Sequence, residues 1–96
     1  MADKREVVHK SVRLKGLVQG VFFRTSARDK ASEMGLAGWI RNEEDGSVYI
    51  EVEGGERSVE RFLDWCRRGS ELTKVEDIKV QEGAVQGLVG FVIKLA

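Results

Sequence analysis

Gly16-Leu17-Val18-Gln19-Gly20-Val21-Phe22-Phe23-Arg24 joins an alternating, strand-like segment to one with helical spacing. Its two glycines allow sharp backbone bends. Its only arginine falls where the helix is expected to begin. Peptide N–H groups at a helix N-terminus lack intrahelical acceptors and attract anions. A guanidinium is always charged and matches phosphate as a bidentate fork. The stretch therefore reads as a cradle for an oxyanion or phosphate. Pattern alone leaves a second reading open, a plain strand-to-helix turn with an exposed arginine. The Gly-Lys-Ser/Thr ending of a P-loop is missing, and no Gly-x-Gly-x-x-Gly occurs. Both facts point away from nucleoside triphosphates with magnesium and from dinucleotides.

Upstream, His9 to Lys15 alternates, with Val12 and Leu14 on one face, as a half-buried strand does. Residues 1–8 are expected to form a loose terminus. Downstream, Phe23, Ala27, Ala31 and Met34 make a narrow apolar stripe on a helix over about 22–34. Ala37 to Asn42 and Ser47 to Glu53 read as two strands of a hairpin, turned by Asp45-Gly46. Val48, Ile50 and Val52 face inward; Tyr49, Glu51 and Glu53 face out. Glu56 to Arg68 predicts a helix with Val59, Phe62, Leu63 and Cys66 at i, i+3, i+4 and i+7. Thr73 to Gln81 predicts a strand, residues 82–87 a turn, and Leu88 to Leu95 a last strand with Phe91, Ile93 and Leu95 on one side. The order is βαββαβ plus one C-terminal strand. It fits an α+β, ferredoxin-like sandwich with two helices on one face of a mainly antiparallel sheet. In that fold the first loop and the hairpin lie near each other. Arg24 and Asn42 then meet at one site, although they are 18 residues apart.

The chain has 96 residues, enough for one domain over 1–96 and too few for two. Lysine and arginine number 16, as do aspartate and glutamate, and this balance argues against a dedicated nucleic-acid binder. No apolar run reaches membrane-spanning length, and the polar start is not a secretory signal, so the expected compartment is the cytoplasm. The single cysteine, Cys66, falls in a helical core stripe, and the single histidine, His9, reads as structural or surface filler. One of each cannot build a multi-Cys or His-rich metal site within one chain, and a core Cys66 with a filler His9 points away from Cys-His and Ser-His-Asp nucleophiles. No metal and no cofactor is expected.

Two separated motifs now combine. The Gly16–Arg24 stretch is followed by Gly35-Leu36-Ala37-Gly38-Trp39-Ile40-Arg41-Asn42 and then Asp45-Gly46-Ser47-Val48. In this order and spacing they resemble the acylphosphatase family, and the similarity runs over about residues 10–95. The resemblance implies a small monomer with the ferredoxin-like fold that hydrolyses small-molecule acyl phosphates to a carboxylate and inorganic phosphate. It implies that Arg24 binds the phosphoryl group and that Asn42 positions the attacking water. The backbone amides of Gln19, Gly20, Val21, Phe22, Phe23 and Arg24 would complete the cradle, which would also take phosphate or sulfate. The chain departs from the family at its end, where Leu95-Ala96 stands in place of the usual aromatic or arginine.

The chemistry suits these residues. An acyl phosphate loses a carboxylate whose acid has a pKa of about 4–5, so no general acid is needed. Positioning and charge stabilisation dominate phosphoryl transfer. Phe22 and Trp39 are read as packing residues rather than substrate contacts. The alternative is a non-catalytic phosphate-binding or regulatory module on the same fold. An RNA-binding sheet is disfavoured because Glu51 and Glu53 flank Tyr49 on the open face. A domain detached from a larger carbamoyl-transfer maturation protein is disfavoured by the lack of zinc-finger cysteines.

Overall fold

Alternation carries the first strand further than its central run suggests. In the computed structural model, which describes residues 6–95, β1 spans Val7–Leu17. Residues 7 and 8, expected in a loose terminus, pair with Gly55 and Gly54 of the neighbouring strand. Residues 1–5 of that expected terminus lie outside the described residues.

Helix α1, Phe23–Glu33, buries Phe23, Ala27 and Ala31, one residue per turn. Its two alanines present little bulk to the sheet beneath. Strands β2, Ala37–Asn42, and β3, Val48–Gly55, form the hairpin. The Asp45 carboxylate holds its turn, accepting the Ser47 N–H at 3.0 Å and the Ser47 hydroxyl at 2.6 Å. Those bonds pull the Asp45 carboxyl below its ordinary pKa. Helix α2, Glu56–Arg68, buries Val59, Phe62, Leu63 and Cys66. It carries Glu56 in its first turn and Arg67 and Arg68 in its last, as the helix dipole favours. Strands β4, Lys74–Gly83, and β5, Phe91–Ile93, complete the chain.

The sheet order is β4-β1-β3-β2-β5. All neighbours are antiparallel except β5, which runs parallel to β2. The inner face contributes Val12, Leu14, Ile40, Val48, Ile50 and Val52, each at 0% exposure, to one core shared with both helices. Phe62 meets Phe91 edge-on at 5.9 Å, and Trp65 stacks on Phe23 at 5.5 Å. This is the βαββαβ sandwich with an added edge strand that the element order predicts.

The chain's end differs from expectation. Only Phe91–Ile93 pairs as a strand, and Leu95 is 87% exposed rather than aligned inward with Phe91 and Ile93. Strand β4 runs on to Gly83, and 84–90 is irregular where a short turn was expected. Gly87 and Gly90, both at positive φ, break the extended chain before β5. The irregular segment crosses the open face of the sheet. There the Gln86 and Leu88 N–H groups donate to the Glu53 carboxylate at 2.9 and 2.6 Å. Glu53 is therefore buried, not solvated, and so is His9, whose Nδ1 lies 2.7 Å from Glu53.

Candidate active site

The loop between β1 and α1 is pinned by Val18, 1% exposed, and then turns sharply. Gly20 and Phe22 have φ of 74° and 62°, while Val21 between them is not in the positive-φ region. Alternating signs of φ turn successive peptide N–H groups into one concavity, which makes an anion nest. Phe22 is the non-glycine residue with positive φ among the described residues. A bulky side chain is rarely held in that region, and holding it there costs strain. Phe22 is also 77% exposed, so its expected role as a packing residue is not what the fold gives it.

Phe22 occupies the N-cap of α1 but offers no side-chain cap, and the first turn holds no acidic residue. The positive end of the helix is left unneutralised. Among the described residues, the N–H groups of Gln19 to Arg24 donate to no protein acceptor. Arg24, half-buried in the first turn, makes no hydrogen bond or ion pair among the described residues. It lines a hollow of about 310 Å³ together with Gly20, Phe22 and Phe23.

Asn42 ends β2, in register with Val48. Its Oδ1 is buried and has no hydrogen-bond partner among the described residues. Buried polar atoms are normally paired, so an amide oxygen left over is an acceptor held in reserve. Asn42 lines a second hollow, of about 460 Å³, beside Arg41 and Glu43. Arg24 and Asn42 thus line separate hollows. What connects them is the Gln19 side chain: its Nε2 donates to the carbonyl oxygens of Glu43 and Ser47, both at 2.8 Å. Sequence reasoning gave Gln19 only a backbone role. Its partners lie 24 and 28 residues away, so no local pattern signals the contact.

Glu43 is also held from the open face, by Arg41 Nε at 2.5 Å and Arg13 at 3.6 Å. Trp39 packs there against Tyr49 at 5.6 Å, with Arg41 and Lys94 over its ring, as a packing residue should. A larger hollow of about 590 Å³, lined by Arg13, Tyr49 and Lys79, shares no residue with the other two. No helix among the described residues is long and apolar enough to cross a membrane.

A family model described as acylphosphatase matches residues 10–93. The chain belongs to the acylphosphatase family. An acylphosphatase of Methylococcus capsulatus is 53% identical over 72 residues, covering 75% of this chain and 78% of its own. One of Haloquadratum walsbyi is 42% identical over 94 residues, covering 98% and 99%. The solved structure of an acylphosphatase from Coxiella burnetii superposes with a TM-score of 0.90 at 32% identity, covering 98% of this chain and all of that one. The chain is an enzyme of the acylphosphatase class, whose reaction is acyl phosphate hydrolysis. Both stretches that carry the resemblance fall on the loop and hairpin just described: Gly16–Arg24 enters α1, and Gly35–Asn42 leads into β2, Ala37–Asn42.

Proposed function

We propose that the amides of Gln19 to Arg24 and the Arg24 guanidinium hold the phosphoryl group of an acyl phosphate, while Asn42 aims the attacking water. The observation that carries this is the buried, unpartnered Asn42 Oδ1. A carboxamide oxygen accepts a hydrogen bond from water without being a base. Water oxygen bonds to phosphorus, the bond from phosphorus to the acyl oxygen breaks, and the carboxylate leaves with the electron pair. The water's proton passes to a phosphate oxygen. N–H donors and a guanidinium spread over the equatorial oxygens stabilise the shifting charge, and the step uses no metal ion. The same cradle takes inorganic phosphate or sulfate. On this reading the chain, 1–96, is one domain that works as a monomer in the cytoplasm; the core shared by the sheet and both helices supports the one-domain part.

The test is hydrolysis of benzoyl phosphate with chelator present, for wild type, Arg24→Ala and Asn42→Ala. Turnover that survives the chelator and falls at least 100-fold in both variants supports the assignment; removing one aimed donor typically costs 10²–10³ in rate. Phosphate binding without turnover in the wild type would leave only an anion-binding module.

A further inference from the structure

The hollow beside Arg24 is more apolar than a phosphoryl site requires. Val18 and Phe23, each 1% exposed, line it with Ile93, the exposed Phe22 and Leu95, and Gly20 and Thr25. Arg24 is the one charged residue in its lining. A single exposed apolar side chain needs no explanation. Phe22 and Leu95, 77% and 87% exposed, stand at the same cavity and beside the same guanidinium. That pairing does need one.

Strand β5 brings the second of them there. Ile93 is in register with Ile40, and the Lys94 N–H bonds the Ile40 carbonyl at 2.8 Å. The chain's last residues therefore follow β2 toward its Asn42 end. A phosphoryl group seated on the Gln19–Arg24 amides carries its acyl substituent on one oxygen, and Gly20, Phe22, Phe23 and Arg24 of that stretch belong to this lining. The volume, about 310 Å³, lies at the small end of ligand pockets and suits a benzoyl ring or a short alkyl chain. With Arg24 engaged by phosphate, a second anionic group here would lie against Phe22, Ile93 and Leu95 and find only the Thr25 hydroxyl as a side-chain partner.

We propose that this hollow receives the acyl group and selects acyl phosphates whose acyl part is uncharged and apolar over those bearing a second anionic group. The proposal rests on the cradle reading above and names its substrate class. Leu95 and Ile93 act as specificity residues.

The experiment compares kcat/KM for benzoyl, 4-methylbenzoyl and 4-carboxybenzoyl phosphate in wild type, Leu95→Lys and Leu95→Glu. The methyl substrate controls for size. Wild type should prefer the methyl over the carboxyl substrate by roughly tenfold or more, the scale on which such pockets discriminate. Leu95→Lys should narrow that ratio several-fold and Leu95→Glu should widen it. The exposed Leu95 leaves the core untouched, and acetyl phosphate, measured in each variant, gives the effect of the new charge on the cradle itself, against which the ratio is read. A ratio near one in wild type, or one that neither variant moves, overturns the proposal. Loss of the cradle reading looks different: Arg24→Ala would then still hydrolyse acetyl phosphate, whose small acyl group barely touches the hollow.

Discussion

The Gln19 carboxamide nitrogen donates to the Ser47 carbonyl oxygen at 2.8 Å, across a gap of 28 residues in sequence. The same nitrogen reaches the Glu43 carbonyl at 2.8 Å, on the residue that follows Asn42. Two hydrogen bonds thus lock the loop between β1 and α1 to the strand end that carries Asn42. Gln19→Ala removes both and frees the loop to drift. Each bond contributes about 1 kcal/mol to stability. The loss in rate should be larger, roughly 10- to 100-fold in kcat, because misplacement by an ångström costs that much. Gln19→Glu should do no better, since a carboxylate would face two carbonyl oxygens. Steady-state kinetics beside a urea melt separates the two effects; a kcat within twofold of wild type would deny Gln19 a positioning role.

Arg24 and Asn42 should fail in different ways. Arg24→Lys keeps the charge but loses the fork, so both phosphate affinity and kcat should fall, kcat by at least tenfold. Asn42→Ala removes only the water's acceptor, so kcat should drop 10²-fold or more with little change in KM. Asn42→Asp would place a negative charge beside the phosphoryl group and should raise KM as well. Competitive inhibition by inorganic phosphate gives the direct readout: weakened in Arg24→Lys, unchanged in Asn42→Ala.

What could be read beforehand follows from how far each signal travels along the chain. The helix over 56–68 was legible residue for residue, because Val59, Phe62, Leu63 and Cys66 repeat at the helical period and Gly69 ends it. The hairpin was legible because Asp45 and Gly46 carry their own turn chemistry. Residues 84–90 were not. Their place is set by Glu53, some 33 residues earlier, whose carboxylate collects two of their N–H groups. The same covering explains why the outward-facing Glu53 is buried. It also weakens the reason for dismissing the open face on account of its acids: Glu51 and Glu53 are turned onto His9 rather than toward solvent. Arg24 and Asn42 were nominated by motif, whereas the Gln19 clasp and the apolar hollow depend on contacts that only the folded chain creates.

Cys66 should be inert in the native enzyme. It is 0% exposed on the core side of α2, and burial pushes its thiol far above the ordinary range, with only a small opposing pull from Arg67. The nucleophile is the thiolate, which the interior suppresses. A thiol reagent at pH 8 should label the native protein only at the rate of its unfolding, and should label it at once in denaturant. Activity should be unaffected by brief treatment. Rapid native labelling would mean that α2 opens locally.

The last prediction concerns pH. His9 has a carboxylate against each ring nitrogen: Glu53 at Nδ1, 2.7 Å away, and Glu51 at Nε2. Both nitrogens must carry protons to donate, so the arrangement calls for the imidazolium. Burial alone pushes His9 down, but the hydrogen bonds and charges of Glu51 and Glu53 outweigh it and leave the pKa above 6.5. For Glu53, burial pushes up and is outweighed by the Gln86 N–H, His9 and the Leu88 N–H, which leave the pKa below 4.5. Segment 84–90 bears no charge, and β4 presents Gly83 to the ring, so no other ionisable group competes from those sides. A raised histidine pKa gives stability that is complete below 6.5 and lost as pH climbs through the folded value. A depressed glutamate pKa gives stability present above 4.5 and lost as pH falls through the folded value. Stability should therefore peak between about pH 4.5 and 6.5 and decline toward pH 8.5 as His9 deprotonates. Urea midpoints measured across that range should fall on the alkaline side in wild type. In His9→Gln they should be lower at pH 6 and nearly flat above it. An equal alkaline decline in both proteins would place the titrating group elsewhere.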